Sequence, residues 1–192
     1  RLVIIGMLGA ISIVLGLTPL GIIPIPFRPT SATIMHIPVI IATIMEGPVV
    51  GLFVSLIFGA TSMYNAATRP TPVSFVFLDP VVAILPRLLI VLTTYYSYVG
   101  MDKLLTGKND KTRNRISSGL AAAVGTLTNT VGVLSAIYLR HGAAYGEKLG
   151  VGAEGTGALL AGVAVTHGIP EIIVAVLIVT AVIGALKKIY GR

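Results

Sequence analysis

The residues best suited to do chemistry in this sequence are charged side chains inside long apolar segments. Arg87 lies near the start of an apolar segment at residues 80–98, and Glu171 begins another one. Burying an unpaired charge is costly, so Arg87 needs an anionic partner. The sequence offers two interpretations: an ion pair with Glu171 or Asp79, or contact with an anionic ligand.

Glu171 and His167 lie on either side of Pro170 in the last apolar stretch. A carboxylate in the first turn of a helix is favourable by itself, and this alone explains Glu171. A proline at this point also predicts a helix break, and a break at membrane depth is tolerated where the backbone lines a cavity. Both side chains are therefore candidates for a ligand site.

Thr126, Asn129 and Thr130 share one helical face because they are spaced i, i+3, i+4. They either form hydrogen bonds between helices or line a ligand cavity, and Asn129 is the stronger candidate for the second role. His36, two residues before Pro38, is a weaker candidate: it could face the cavity, but a hydrogen bond to a neighbouring helix is the favoured interpretation.

The remaining charged candidates lie in predicted loops. Asp79, directly before Pro80, has the pattern of a helix N-cap. Arg28 and Arg69 fall in loops that we expect to be solvated, where either side chain would attract an anionic substrate.

The sequence lacks the motifs of several classes of enzyme and binding protein. The chain has no cysteine, which excludes disulfides and thiolate chemistry. It has no phosphate-binding loop, no H-E-x-x-H and no G-x-S-x-G. His36, His141 and His167 do not have the spacing of metal ligands. We therefore expect no enzyme activity, no metal and no cofactor.

The overall composition is that of an integral membrane protein. Hydrophobic residues make up 55% of the 192 residues and charged residues only 11%, whereas a soluble domain carries about 25% charged residues. The apolar runs are continuous rather than alternating, which favours helices over a β-barrel. We predict an all-α bundle of six transmembrane helices in a lipid bilayer, with residues 1–192 forming a single domain.

The apolar runs and turn signals place the six spans at residues 2–17, 32–45, 49–64, 80–98, 116–139 and 170–186. Pro86 predicts a kink in the fourth span. We expect the stretch at 158–186 to break at residues 167–170, with a short helix or re-entrant segment before the last span. We also expect an ordered, proline-rich first loop and a glycine-rich loop at residues 140–155.

Positive charge is concentrated on one side of this predicted bundle. Six spans put both termini on the same side, together with the loop between the fourth and fifth spans. That side carries Arg1, Lys103, Lys108, Lys111, Arg113, Arg115, Lys187, Lys188 and Arg192. The positive-inside rule makes it cytoplasmic. The net charge of +7 therefore reflects membrane orientation and does not call for nucleic acid as a partner.

The first span carries small residues at close spacing. Gly6 and Ala10 are four residues apart, which lets another helix approach closely. This face either packs inside the bundle or forms a docking surface for another membrane protein.

Taken together, the chain resembles the substrate-binding S component of energy-coupling factor (ECF) vitamin transporters. The resemblance covers nearly the whole chain and rests on the segments ATIMHIPVII, EGPVVGLFVSLIFG, PTPVSFVFLDPVVAILPRLLI, GTLTNTVGVLSAIYL and HGIPEIIVA. Within the family, the pieces LPR, GTLTNT and GIPE look most like the pantothenate-specific S components.

The resemblance implies a high-affinity vitamin-binding subunit in the cell membrane of a prokaryote, with its pocket near the outer face. It implies docking onto the transmembrane scaffold EcfT, which is coupled to two cytoplasmic ATPases. The docking motif of the family is usually Ala-xxx-Ala, and here Gly6 and Ala10 stand in its place. Pantothenate would place its carboxylate on Arg87 and its polar middle near Asn129 and Glu171. The expected site also includes His167, Thr126, His36 and Arg69.

Three other interpretations compete with this one. An S component for riboflavin or another small vitamin is disfavoured slightly, because only 6% of the chain is aromatic. A membrane-embedded enzyme would have Glu171 and His167 as its only candidate pair. An assembly subunit without a ligand is the third.

Overall fold

The computed structural model of the chain describes residues 1–23 and 32–190. Most of the predicted proline-rich loop, with Pro24, Pro26, Arg28 and Pro29, lies outside the described residues. The predictions made for that loop and for Arg28 are therefore not tested here.

Seven α-helices account for nearly all of the described chain. They are α1 (Leu2–Leu17), α2 (Ile37–Glu46), α3 (Pro48–Thr68), α4 (Pro80–Ala83), α5 (Leu85–Leu104), α6 (Asp110–Lys148) and α7 (Gly152–Tyr190). Short 3₁₀ helices follow α1 and α3, at Pro19–Gly21 and Ser74–Leu78. Two short strands, β1 (Ile22–Ile23) and β2 (Ala32–Thr33), pair antiparallel with Ile22 opposite Thr33.

Within the described residues these helices form six apolar segments of a membrane bundle. Four are long and apolar enough to cross a bilayer: α3, α4 with α5 as Pro80–Leu104, α6, and α7. The other two, α1 and α2, are shorter apolar helices. This confirms the prediction of an all-α membrane bundle, in which four helices have the length of a membrane span and two are shorter.

The predicted bounds hold best where proline or glycine ends a helix. The first span matches α1, and Gly47, at a φ of 89°, separates α2 from α3. The predicted kink at Pro86 is present as the break between α4 and α5. The second span begins at Ile37 instead of residue 32, because Ala32 and Thr33 pair with β1.

Two predictions about the second half of the chain are wrong. α7 does not break at residues 167–170: it runs through Pro170 as one helix, with no separate short helix or re-entrant segment before it. The glycine-rich segment is also mostly helical, since α6 continues to Lys148 and the connection to α7 occupies only residues 149–151. In hydrocarbon the backbone must satisfy its own hydrogen bonds, which favours a continuous α7 despite Pro170.

The core of the bundle is built around α2. Every residue of α2 from Ile37 to Ile44 is buried, and the apolar core that contains them also takes in buried residues of α3, α5, α6 and α7. A helix that is apolar and buried on all sides lies at the centre of a bundle. The polar side chains at the outer end of this core form the site described next.

Candidate substrate-binding site

A cavity of about 370 Å³ lies among α3, α5, α6, α7 and β2. By the orientation assigned from the positive charges, it lies toward the outer ends of these helices. Its wall is formed by Thr33, Met35, Phe58, Ser62, Asn65, Ala66, Arg69, Ser74, Phe77, Arg87, Asn129, Thr130, Val133, Leu134, Val163, His167 and Glu171. A concave site that mixes apolar walls with a few polar groups is typical of small-molecule binding.

Arg87 is a buried cation in this wall that has no carboxylate partner among the described residues. Its side chain is 5% exposed. One guanidinium nitrogen, Nη1, donates to the carbonyl oxygen of Val82 at 2.8 Å. The rings of Phe58 and Phe77 lie 5.1 and 5.6 Å from the guanidinium carbon, within the range of cation–π contacts. The buried Nε has no hydrogen-bond partner among the described residues.

Both carboxylates considered as partners of Arg87 are engaged elsewhere. Asp79 contacts Arg140 at 2.8 Å and His141 at 3.1 Å, and it also accepts from the backbone N–H of Val81, as predicted for an N-cap. All seven Asp and Glu residues lie within the described residues, and none forms an ion pair with Arg87. Of the two interpretations of Arg87, contact with a ligand is the one left open.

Glu171 lies in the cavity wall and is held by threonines. Its Oε1 accepts from the backbone N–H of Thr33 at 2.7 Å and from the Thr33 hydroxyl at 3.2 Å. Its Oε2 accepts from the hydroxyl of Thr130 at 3.1 Å. The carboxylate thus ties β2 to α6 and α7. Its oxygens have more acceptor sites than these three donors fill, so it can also accept from a ligand hydroxyl or amide.

The polar face predicted on α6 divides between two roles. Asn129 and Thr130 line the cavity, and the buried Oδ1 of Asn129 has no partner among the described residues. Thr126 does not line the cavity: its hydroxyl lies 2.9 Å from Nε2 of His36, and both side chains are fully buried. The structure therefore brings Thr126 and His36 together as a link between α6 and the start of α2, away from the cavity wall.

The other two predicted site residues also reach the cavity. Arg69 ends α3 and lines the opening, where its Nη1 donates to the backbone carbonyl of Leu17 at 2.9 Å. His167 lines the cavity from within α7, one turn before Glu171.

Apart from Arg69, the C-cap residue of α3, sequence reasoning missed the contribution of this helix to the site. Phe58, Ser62, Asn65, Ala66 and Arg69 all line the cavity and follow a helical spacing of three to four residues. That periodicity was the available signal, but the segment reads equally well as an ordinary core face. No comparable pattern in the sequence indicated that the ring of Phe77 contacts Arg87.

The predicted docking residues lie away from the cavity on α1. Gly6 and Ala10 are both exposed, and a Cβ added at Gly6 would meet nothing within 4 Å. Exposed Val3, Met7 and Val14 continue the same helical face. Within the described residues this face has no partner helix.

Comparisons with known proteins agree with the fold. Residues 1–183 match the family described as "ECF transporter, substrate-specific component". The "Pantothenic acid transporter PanT" of Lactococcus lactis subsp. cremoris is 34% identical over 179 residues, covering 86% of this chain and 81% of that protein. The "Pantothenate transporter PanT" of Leuconostoc mesenteroides is 28% identical over 179 residues, covering 93% and 84%. The chain belongs to the family of substrate-specific components of ECF transporters.

Proposed function

We propose that this membrane protein is the pantothenate-binding subunit of an ECF importer, and that residues 1–192 act as one substrate-binding unit. As a substrate-specific component, the chain binds a vitamin and works with an ECF module. Both relatives named above carry pantothenate in their names, which supports this vitamin over others.

The buried guanidinium of Arg87 is the observation that carries the proposal. Pantothenate is an anion, and its carboxylate fits the partnerless Nε and the neighbouring Nη2 of a guanidinium whose Nη1 is already engaged. Charge-assisted, two-point contacts of this kind are among the strongest hydrogen bonds in proteins. No carboxylate of the chain competes for this edge.

The rest of the cavity suits the rest of the molecule. Pantothenate has an amide and two hydroxyls, which match the free acceptor of Asn129 and the carboxylate of Glu171. It also has a branched apolar centre, which matches the side chains of Val133, Leu134 and Val163. Asn129, Thr130, Glu171, His167 and Arg69 are thus proposed as further contacts.

Two of the expected site residues receive a different role. His36 and Thr126 are fully buried and bonded to each other, which favours a structural link between α2 and α6. We propose that they support the cavity and do not contact the ligand.

Riboflavin is the second candidate because Phe58 and Phe77 line the same cavity. Stacking would require these rings to face the flavin. In this structure the guanidinium of Arg87 occupies a position over each of them, which favours an anionic ligand instead.

We also propose the partners that the family implies in detail: the scaffold EcfT and two cytoplasmic ATPases. The exposed face of α1 around Gly6 and Ala10 supports docking, because small side chains in lipid let a second helix approach closely. Membership in a transporter family points away from an enzyme that uses Glu171 and His167.

Equilibrium binding of radiolabelled vitamins to the purified protein tests the proposed function. We expect saturable pantothenate binding that excess riboflavin does not displace. Pantothenate should also raise the thermal unfolding midpoint, since a ligand that binds only the native state stabilises it. Saturable riboflavin binding without pantothenate binding would replace the proposal with the second candidate. No stabilisation by any vitamin would support an assembly subunit.

A further inference from the structure

The break between α4 and α5 leaves three consecutive backbone carbonyls, those of Val81, Val82 and Ala83, without their usual helical N–H partners. In an unbroken α-helix the N–H of residue 86 would donate to the carbonyl oxygen of Val82. Residue 86 is proline, which has no N–H. The helical pattern resumes past the break, where the N–H of Leu88 donates to Ile84 at 3.1 Å. Val82 therefore offers a buried acceptor at the level of the cavity.

The side chain of Arg87 takes the place of the missing N–H. Its Nη1 donates to the Val82 oxygen at 2.8 Å. A guanidinium is planar and its five N–H groups have fixed directions, so one bond at Nη1 restricts where Nε and Nη2 point. Phe58 and Phe77 contact the same group at 5.1 and 5.6 Å and further limit its orientation.

Glycines on two neighbouring helices hold the break in place. A Cβ added at Gly59 of α3 would lie 3.0 Å from the carbonyl oxygen of Ala83 and 3.2 Å from a side-chain atom of Ile84. A Cβ added at Gly132 of α6 would lie 3.1 Å from Cβ of Pro86. Both helices therefore approach the break more closely than a larger residue would allow. This close packing on two sides restricts the position of the segment that carries the Val82 carbonyl.

We propose that Pro86 is a positioning residue for substrate selectivity: by freeing the Val82 carbonyl, it orients Arg87 toward the carboxylate of the ligand. This inference rests on the proposed function, in which Arg87 binds that carboxylate. An alanine at residue 86 would supply an N–H that competes with Nη1 for the same oxygen. The guanidinium would then lose its fixed orientation while keeping its charge.

The test compares pantothenate with panthenol, the analogue in which an uncharged alcohol replaces the carboxylate. Both affinities are measured by isothermal titration for the wild type and Pro86→Ala. We expect the ratio of the two affinities to fall by about tenfold in the variant, the size of one lost charge-assisted hydrogen bond. The panthenol affinity of the variant should stay within about twofold of the wild-type value. A general structural defect would instead weaken the binding of both ligands together.

A matched control isolates the N–H itself. Lactic acid at residue 86, introduced by nonsense suppression, has the side chain of alanine but, like proline, no N–H. It should restore the wild-type ratio. An unchanged ratio in Pro86→Ala, or an equal loss in the lactic acid variant, overturns the proposal.

A second variant keeps Pro86 and decides the question if Pro86→Ala does not fold. Replacing Ala83 with lactic acid converts the Val82 carbonyl from an amide to an ester, which is a weaker acceptor. The selectivity ratio should fall here too, and a wild-type ratio would contradict the role of this carbonyl.

A ligand-independent measurement separates this inference from the proposed function. In ¹⁵N-arginine NMR spectra of the solubilised protein, assigned with Arg87→Lys, the Nη1 proton bonded to Val82 should exchange slowly. It should exchange quickly in Pro86→Ala and slowly again with lactic acid at residue 86. Equal affinity of the wild type for pantothenate and panthenol would overturn the proposed role of Arg87, while these spectra would still confirm or refute its positioning by Pro86.

Discussion

Replacing Arg87 with methionine should abolish tight pantothenate binding and leave the fold intact. Methionine keeps the length and apolar stem of the side chain, so the contacts with Phe58 and Phe77 are largely retained. The change removes a buried positive charge, which is favourable, but leaves the carbonyl of Val82 without its donor, which costs stability. Because these effects oppose each other, we expect the unfolding midpoint without ligand to change little.

The loss of affinity follows from the burial of the guanidinium. A charge that is only 5% exposed is weakly screened, and two unit charges about 4 Å apart attract by about 4 kcal/mol at an effective dielectric of about 20. Truncating one partner of a buried, hydrogen-bonded charge pair typically costs about 2–5 kcal/mol. This corresponds to a decrease in affinity of about 30-fold to several thousand-fold.

Isothermal titration of wild type and Arg87→Met with pantothenate and with panthenol measures this directly. Pantothenate affinity should fall by the amount above, whereas panthenol affinity should remain close to that of the wild type. Arg87→Lys should recover only part of the loss, since an ammonium is a point charge and not a two-pronged donor. Pantothenate affinity in Arg87→Met within about threefold of the wild type, less than about 0.7 kcal/mol, would refute the assignment.

Three further predictions concern other parts of the molecule. Thr126→Val should lower stability by about 1–3 kcal/mol, because it leaves Nε2 of His36 buried without a partner, while pantothenate affinity measured by titration stays unchanged. Two hydrogen bonds, first that from Arg140 and then that from the Val81 N–H, hold the pKa of Asp79 below its usual range. The stability that Asp79 contributes is present above its pKa in the unfolded chain and is lost as the pH falls through its pKa in the folded protein. Thermal unfolding at decreasing pH should therefore show a smaller acid-induced loss in Asp79→Asn. Gly6→Leu should prevent co-purification with the ECF module and leave pantothenate binding unchanged. Gly184→Leu, at another exposed glycine with free space around it, should leave both co-purification and pantothenate binding unchanged.

Each of these predictions has an outcome that contradicts it. Weaker pantothenate binding in Thr126→Val would return Thr126 and His36 to the ligand site. An identical acid profile in Asp79→Asn would show that the network around Asp79 adds no stability. Co-purification of Gly6→Leu at wild-type levels would place the docking surface away from this face of α1.

The helical fold was predictable because long continuous segments of apolar residues indicate membrane-spanning helices. The sequence failed at Pro170 because proline ends helices reliably in water, where the freed backbone groups can be hydrated. In a bilayer those groups have no such alternative, so α7 continues through Pro170. The glycine-rich end of α6 stays helical to Lys148 because it packs against the start of α7, where the hydroxyl of Thr156 donates to the carbonyl oxygen of Gly142 at 3.0 Å. In both places the surroundings of the helix override its local propensity.

Several polar residues of the cavity wall were predictable from the sequence, but the groups that they bond to were not. Arg87, Asn129 and Glu171 were identified because polar groups at membrane depth are rare and expensive. The partners that hold them were not, since the Val82 carbonyl and Thr33 carry no signal in the side-chain pattern. Backbone acceptors and donors become visible only once the helix break and the short strand pair are in place.

In the proposed function, the way in which Arg87 is held keeps a buried charge ready for a ligand. If a carboxylate of the chain paired with it, an incoming anion would have to displace that carboxylate, and much of the gain from the new contact would be lost. A carbonyl and two aromatic rings stabilise the cation without neutralising it. Asp79 is meanwhile held by Arg140 and His141, and Glu171 by threonines, so neither carboxylate competes for the guanidinium. We therefore expect selectivity for an anion at the proposed site to depend as much on where the two carboxylates are held as on the arginine itself.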